Sequence, residues 1–197
     1  MSTDAIFGYG SLVSHASIAE TLGRETSDPV PAVLCGWRRR WSIARVNAEV
    51  EKEFARDDGE SFVHCLGLNL ERAPGSDAGD WPNGALVELS EAELDRLDER
   101  EVRYERVEVS ADIRPRSALE GIERVHAFTA KAAHYAPEPP SDSIIIASYV
   151  EACEQAFAQL GSGELERFRS STGPPPVPVV AASLVRDEIQ PGNPRRW

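Results

Sequence analysis

The chain has 197 residues, 41% of them hydrophobic and 27% charged, which suits one folded domain able to bury its own core. Its formal net charge of −12 argues against a phosphate backbone or an anionic membrane surface as partner, since both need concentrated positive charge. Cys35, Cys65 and Cys153 are odd in number and far apart, so they predict neither a disulfide framework nor a zinc ribbon and favour a reducing compartment.

His15, His64, His126 and His134 are scattered, without HxH or HExxH spacing, and nothing in the sequence asks for a metal. The acidic start lacks the basic n-region of a signal peptide. No apolar run approaches the roughly 18 residues of a membrane span.

In chain order, Ala5 to Tyr9 is expected to be a buried strand that ends in a Gly8-Tyr9-Gly10-Ser11 turn. A helix is expected over 14–22, with capping-box spacing at Ser17 and Glu20 and Gly23 as its stop. Val30 to Trp37 and Trp41 to Val46 read as strands with Arg38, Arg39 and Arg40 between them, and 47–61 as a loop. Strands follow at 62–70 and 85–89, joined by a Pro-, Gly- and Asp-rich surface connection.

Ser90 and Glu93 form a capping box that opens a short helix. Tyr104 to Ile113 alternates as a half-buried strand, and Arg124 to Ala130 as a shorter one. The longest helix is expected over 143–160 with Ile146, Tyr149, Cys153, Ala156, Phe157 and Leu160 as its buried stripe, and a short one over 163–169. Pro174, Pro175, Pro176 and Pro178 force an extended arm within one domain, before a last strand over 179–185 and a tail at 191–197. Strands outnumber helices without a βαβ rhythm, so the prediction is a curled mixed sheet or barrel flanked by a few helices.

Candidate chemistry centres on Glu101. Leu94 and Leu97 define the inward face of the Ser90 helix, and Glu101 lies four residues past Leu97 on that face, while Asp95, Glu99 and Arg100 are expected to point elsewhere. Desolvation there raises a carboxyl pKa and suits it to exchange protons near neutral pH. The other reading ends the helix before Glu101 and leaves it exposed.

The Gly8-Tyr9-Gly10-Ser11 turn is either a close-packed corner or an N–H cradle for an acidic ligand. It lacks the third glycine of a dinucleotide fingerprint, and it is neither GxxxxGK[ST] nor a GxSxG elbow. Alternation puts Arg39 opposite Arg38 and Arg40, so the three are either exposed strand-end charges or include a bidentate clamp for a carboxylate. Tyr104, Tyr135 and Tyr149 read singly as core or rim aromatics, although Tyr104 stands three residues from Glu101.

Several of these stretches, taken in order, resemble the γ-glutamylcyclotransferase superfamily in its ChaC-like form. They are Phe7-Gly8-Tyr9-Gly10-Ser11-Leu12, Gly36-Trp37-Arg38-Arg39-Arg40-Trp41, Leu97-Asp98-Glu99-Arg100-Glu101 with Tyr104, and Tyr135 with Pro139-Pro140-Ser141. The resemblance implies a single α+β domain over 1–197, a small mixed β-barrel flanked by helices. It implies a reaction without metal or cofactor, in which the α-amine of a γ-glutamyl compound attacks its own γ-carbonyl and releases 5-oxoproline. Glu101 falls on the catalytic glutamate. Tyr9, Gly10, Ser11, Leu12 and Tyr104 fall on the substrate side, with Arg39 as a lesser candidate.

The implied partner is a small γ-glutamyl amino acid, peptide or amine in the cytoplasm, with no nucleic acid and no membrane. Glutathione is the longer acidic substrate that the arginines would favour. The chain departs from some members at Ile144, where they carry a substrate-contacting tyrosine. Tyr149 lies about 140° around the expected helix from that position, at roughly 100° per residue. This departure motivates another expectation, a binding or regulatory module that keeps the pocket without turnover; a third is a hydrolase that opens a γ-glutamyl amide with water and releases glutamate.

Overall fold

The computed structural model describes residues 3–48, 51–117 and 121–189. The chain begins with β1 (Thr3–Gly8), a 3-10 turn (Ser11–Val13), α1 (His15–Leu22), β2 (Val30–Leu34), β3 (Trp37–Val46) and β4 (Lys52–Arg56). It continues through β5 (His64–Arg72), β6 (Asn83–Leu89), α2 (Glu91–Arg100), β7 (Tyr104–Glu108), β8 (Ile113–Pro115) and β9 (Ile122–Ala130). The last elements are β10 (Ser143–Ile146), α3 (Ala147–Leu160), α4 (Glu164–Ser170), β11 (Val179–Val180) and β12 (Ala182–Asp187).

The apolar run of β1 is buried on both faces, with Ala5 and Phe7 in one core and Ile6 in another. It is a central strand of a six-stranded sheet ordered β7-β9-β1-β6-β2-β8, antiparallel to β6 and parallel to β9. A second sheet runs β11-β10-β5-β3, and β4 pairs with β12 as a separate antiparallel ribbon. The Asn69 side chain of β5 accepts the Ala130 N–H of β9 at 2.8 Å and ties the two larger sheets together.

The sheets curl as two halves of a mixed barrel, flanked by four α-helices among the described residues, as the α+β prediction has it. The larger core joins inward residues of the two sheets to Cys153, Ala156 and Phe157 of α3 and Phe168 of α4. A second core packs Ile18 of α1 and Leu94 and Leu97 of α2 on Ile6, Val87, Leu89 and Phe128.

Local expectations needed correction where pairing is remote. The arginine run lies inside β3, and the strand shifts register against β5 between Arg40 and Ile43. The expected loop over 47–61 contains β4, whose partner β12 comes from the far end of the chain. The helix expected over 143–160 starts only at Ala147. Residues 143–146 form β10 between β5 and β11, where the β-branched Ile144, Ile145 and Ile146 are buried. The strand expected over 104–113 divides into β7 and β8. The N-cap of α1 is Ser14, whose Oγ accepts the Ser17 N–H, and Gly23 closes the helix at φ 70°. The predicted tail over 191–197 lies outside the described residues.

Candidate active site

The wall that holds Glu101 is built by α2. At its start the Glu93 carboxylate accepts the Ser90 N–H at 2.9 Å and the Ser90 hydroxyl at 2.8 Å, and it also pairs with Arg24. Leu94 and Leu97 then seat the helix on β1 and β9. The next positions on that face are Arg100 and Glu101, three and four residues past Leu97.

Arg100 is buried, with its side chain 1% exposed. It donates to the Ser17 carbonyl at 3.2 Å, to Ser17 Oγ at 3.0 Å and to Thr21 Oγ1 at 2.6 Å, so it fastens α2 to α1. Its Nε lies 3.1 Å from Glu101 Oε1.

Glu101 is the C-cap, with its N–H still bonded to the Leu97 carbonyl at 2.8 Å. The helix therefore ends where one sequence reading placed its end, yet the Glu101 side chain is only 16% exposed. Burial raises its carboxyl pKa above the ordinary glutamate value, while Arg100 and Arg103 pull in the opposite direction.

Glu101 lines a cavity of about 380 Å³ with Ser11, Tyr104, Tyr149, Arg103 and Gly67 among its other walls. Tyr104 Oη donates to the Leu68 carbonyl at 2.9 Å, which holds the ring at the edge of the second sheet. Burial raises the pKa of Tyr104 and Tyr149, so both hydroxyls keep their protons.

The Gly8-Tyr9-Gly10-Ser11 corner needs its glycines for close approach. A Cβ on Gly8 would come within 2.4 Å of the Leu12 carbonyl oxygen, and one on Gly10 within 3.2 Å of Tyr149 Oη. Within the turn, Val13 N–H bonds to the Gly10 carbonyl at 3.0 Å and Ser14 N–H to the Ser11 carbonyl at 3.1 Å. The Ser11 and Leu12 N–H groups open the turn and have no acceptor inside it, which makes them donors suited to an oxyanion or carboxylate.

Neither a protein-family model nor a curated protein matches this sequence. Solved structures do resemble it. A γ-glutamyl cyclotransferase matches over 85% of this chain and 87% of its own, with 14% identity and a TM-score of 0.55. An uncharacterised human protein matches over 86% of this chain and 88% of its own, with 14% identity and the same TM-score of 0.55. The yeast γ-glutamyl cyclotransferase specific to glutathione matches over 87% of this chain and 98% of its own, with 16% identity and a TM-score of 0.52.

The chain has the γ-glutamyl cyclotransferase fold. Within this cyclotransferase fold the sequence candidates separate. Ser11, Glu101 and Tyr104 come together around the cavity. The Tyr9 ring is buried with its hydroxyl donating to the Phe128 carbonyl at 2.8 Å, Leu12 packs in the α1–α2 core, and Gly10 borders the cavity through Tyr149.

Arg39 requires a correction, because it is 0% exposed and does not line the cavity. Its guanidinium lies over the Phe157 and Phe168 rings and donates to the Tyr9, Asn83 and Phe168 carbonyls and to the side chains of Asn83, Ser171 and Thr172. The predicted alternation holds, since Arg38 and Arg40 point outward to Asp80 and Glu71.

Tyr149 is the residue that sequence reasoning set aside. Position 144 is on a strand, so a rotation counted around a helix from 144 to 149 does not apply. Ile144 is buried beside Cys65 and Ile146, whereas Tyr149 lines the cavity near Gly10. Arg100 requires a correction too: expected to point elsewhere, it is buried beside Glu101, because its step of three from Leu97 marks the inward face as well as Glu101's step of four does. Arg45, Phe54 and Leu184 line the same cavity from β3, β4 and β12, and only remote pairing brings them there.

Among the described residues no three His, Cys, Asp or Glu side chains group so as to hold a metal ion, and no helix is long and apolar enough to cross a membrane.

Proposed function

We propose that this chain is a γ-glutamyl cyclotransferase that releases 5-oxoproline from a γ-glutamyl amino acid, peptide or amine. The observation that carries this is Glu101, a desolvated carboxylate in a cavity that it shares with Ser11 of the glycine corner. The substrate's α-amine attacks its own γ-carbonyl, so nucleophile and electrophile arrive together and the protein has only to fold the substrate and move protons. Glu101 takes the proton released as the new C–N bond forms and delivers it to the departing nitrogen as the old C–N bond breaks. The Ser11 N–H, from the glycine corner that lines the cavity, donates to the oxyanion of the tetrahedral intermediate. Tyr104 and Tyr149, both neutral, line the cavity beside Glu101 and shape the space for the glutamyl end. This chemistry is acid–base throughout and calls on no metal or redox cofactor. The free cysteines Cys35, Cys65 and Cys153 support a reducing cytoplasm as its setting.

Incubation with γ-glutamyl dipeptides, γ-glutamylamines and glutathione tests the reading through the product. 5-Oxoproline is expected, and glutamate would instead mean hydrolysis. Glu101→Gln should lower kcat/KM by about a hundredfold or more. A fully active Glu101→Gln protein would overturn the assignment.

A further inference from the structure

The cavity wall is charged in an uneven way. Four basic side chains line it: Arg45, Lys52, Arg100 and Arg103. Arg45 donates to the Lys52 carbonyl at 2.9 Å and to Cys65 Sγ at 3.4 Å, with its guanidinium over the Phe54 ring. Lys52 lies 3.8 Å from Asp187, and Arg100 is held by α1.

Arg103 differs from these. It stands two residues beyond Glu101, and its guanidinium meets the Glu51 carboxylate at 3.4, 3.4 and 3.2 Å. These contacts are long for a fork between guanidinium and carboxylate, where about 2.7–2.9 Å is usual. Both side chains are about one-fifth exposed, at 19% and 21%. Glu51 comes from another segment of the chain, 52 residues from Arg103 in sequence. Its carbonyl accepts the Glu188 N–H at 2.8 Å, which ties it to the ribbon of β4 and β12 that also contributes Phe54 and Leu184 to the cavity. An anion tied to that ribbon thus meets a cation beside the proposed general base.

The chemistry of an amino-acid leaving group matches this arrangement. Its α-carboxylate carbon is two bonds from the nitrogen that departs, so a base at that nitrogen and a cation for that carboxylate must be neighbours. The carboxylate of cysteinylglycine is five bonds away and has no such constraint.

Resting on the function proposed above, we propose that Arg103 receives the α-carboxylate of an amino-acid leaving group, and that Glu51 occupies this receptor until substrate displaces it. The favoured substrates are γ-glutamyl amino acids over γ-glutamylamines. Arg103 sets this preference, and Glu51 weakens it by competition.

The test is steady-state kinetics of 5-oxoproline release from γ-glutamylalanine and from γ-glutamylethylamide, which is the same molecule without the carboxylate, with glutathione as a third substrate. Arg103→Met should raise the KM for γ-glutamylalanine about tenfold or more beyond any change with γ-glutamylethylamide. Glu51→Gln should lower the KM for γ-glutamylalanine roughly two- to fivefold relative to the ethylamide. The two substitutions therefore move one ratio in opposite directions, which general damage to the fold cannot do. Equal shifts for both substrates, or a higher KM for γ-glutamylalanine in Glu51→Gln, would overturn the receptor alone. So would wild-type preference for the ethylamide. Failure of the wild type to release 5-oxoproline from any of the three would remove the cyclotransferase reading and the receptor with it.

Discussion

Glu101 and the two glycines of the corner show how much depends on single atoms. Burial raises the Glu101 carboxyl above its ordinary pKa, and a general base must be ionised in the free enzyme. The acid limb of kcat/KM should therefore rise with pH through a midpoint above the ordinary value of 4.5. Arg100 holds that pKa down, so Arg100→Gln should move the limb to higher pH, and a pH–rate profile of the two proteins checks both statements. A limb that stays in place would show that another group controls the rate. The glycines make a contrasting pair. At Gly8 the clash is with backbone at 2.4 Å, so Gly8→Ala should destabilise the fold by about 2 kcal/mol or more in urea titration. At Gly10 the neighbour is Tyr149 Oη at 3.2 Å, which has to give only slightly. Gly10→Ala should therefore keep the fold and appear mainly as a raised KM. The Tyr9-Gly10-Ser11-Leu12 pattern marked the corner in advance, but not that its glycines serve close approach, since φ is −139° at Gly10.

Among the elements, helices were more legible than strands. The start of α2 could be read at Ser90 and Glu93 because a capping box is local chemistry within four residues. The tertiary addition is Arg24, which holds the Glu93 carboxyl down to about 2. A depressed carboxyl pKa contributes stability above its unfolded value, which is lost as pH falls through the folded one. Glu93→Gln should accordingly cost about 1 kcal/mol at pH 7, with the difference from wild type shrinking as pH falls toward 2. Denaturant midpoints measured across that range check it, and a pH-independent difference would mean that packing rather than charge is at stake. Strand β4 and the strand–helix junction at Ile146 and Ala147 were not legible. A strand's partner supplies its hydrogen bonds, and the partners of β4 and β10 lie far along the chain. A short apolar run such as Ile144-Ile145-Ile146 serves a strand or a helix equally until those partners are known.

At the scale of the whole molecule, Arg39 joins parts that the sequence keeps apart. From β3 it reaches the carbonyl of Tyr9, the carbonyl and side chain of Asn83, and residues 168–172 at the end of α4. Asn83 in turn donates to the Glu164 side chain at 2.7 Å, and Glu164 pairs with Arg116 at 2.6 Å. Removing Arg39 leaves several buried acceptors without a donor. Arg39→Met should therefore cost about 3 kcal/mol or more, whereas Arg38→Ala on the exposed face should change stability by less than about 0.5 kcal/mol. Equal effects in thermal and urea unfolding would show that the buried hydrogen bonds do not set this stability. By itself the sequence determined what short-range chemistry controls: a mixed sheet flanked by helices from its periodicities, the glycine corner, the capped start of α2, and Leu94 and Leu97 as the inward face of that helix. Only the tertiary structure decided that Arg39 is a buried brace, that Tyr149 lines the cavity while Ile144 does not, and that Glu51 meets Arg103. Each of these contacts joins segments distant in the chain, and residue order sets periodicity within an element but not which elements become neighbours.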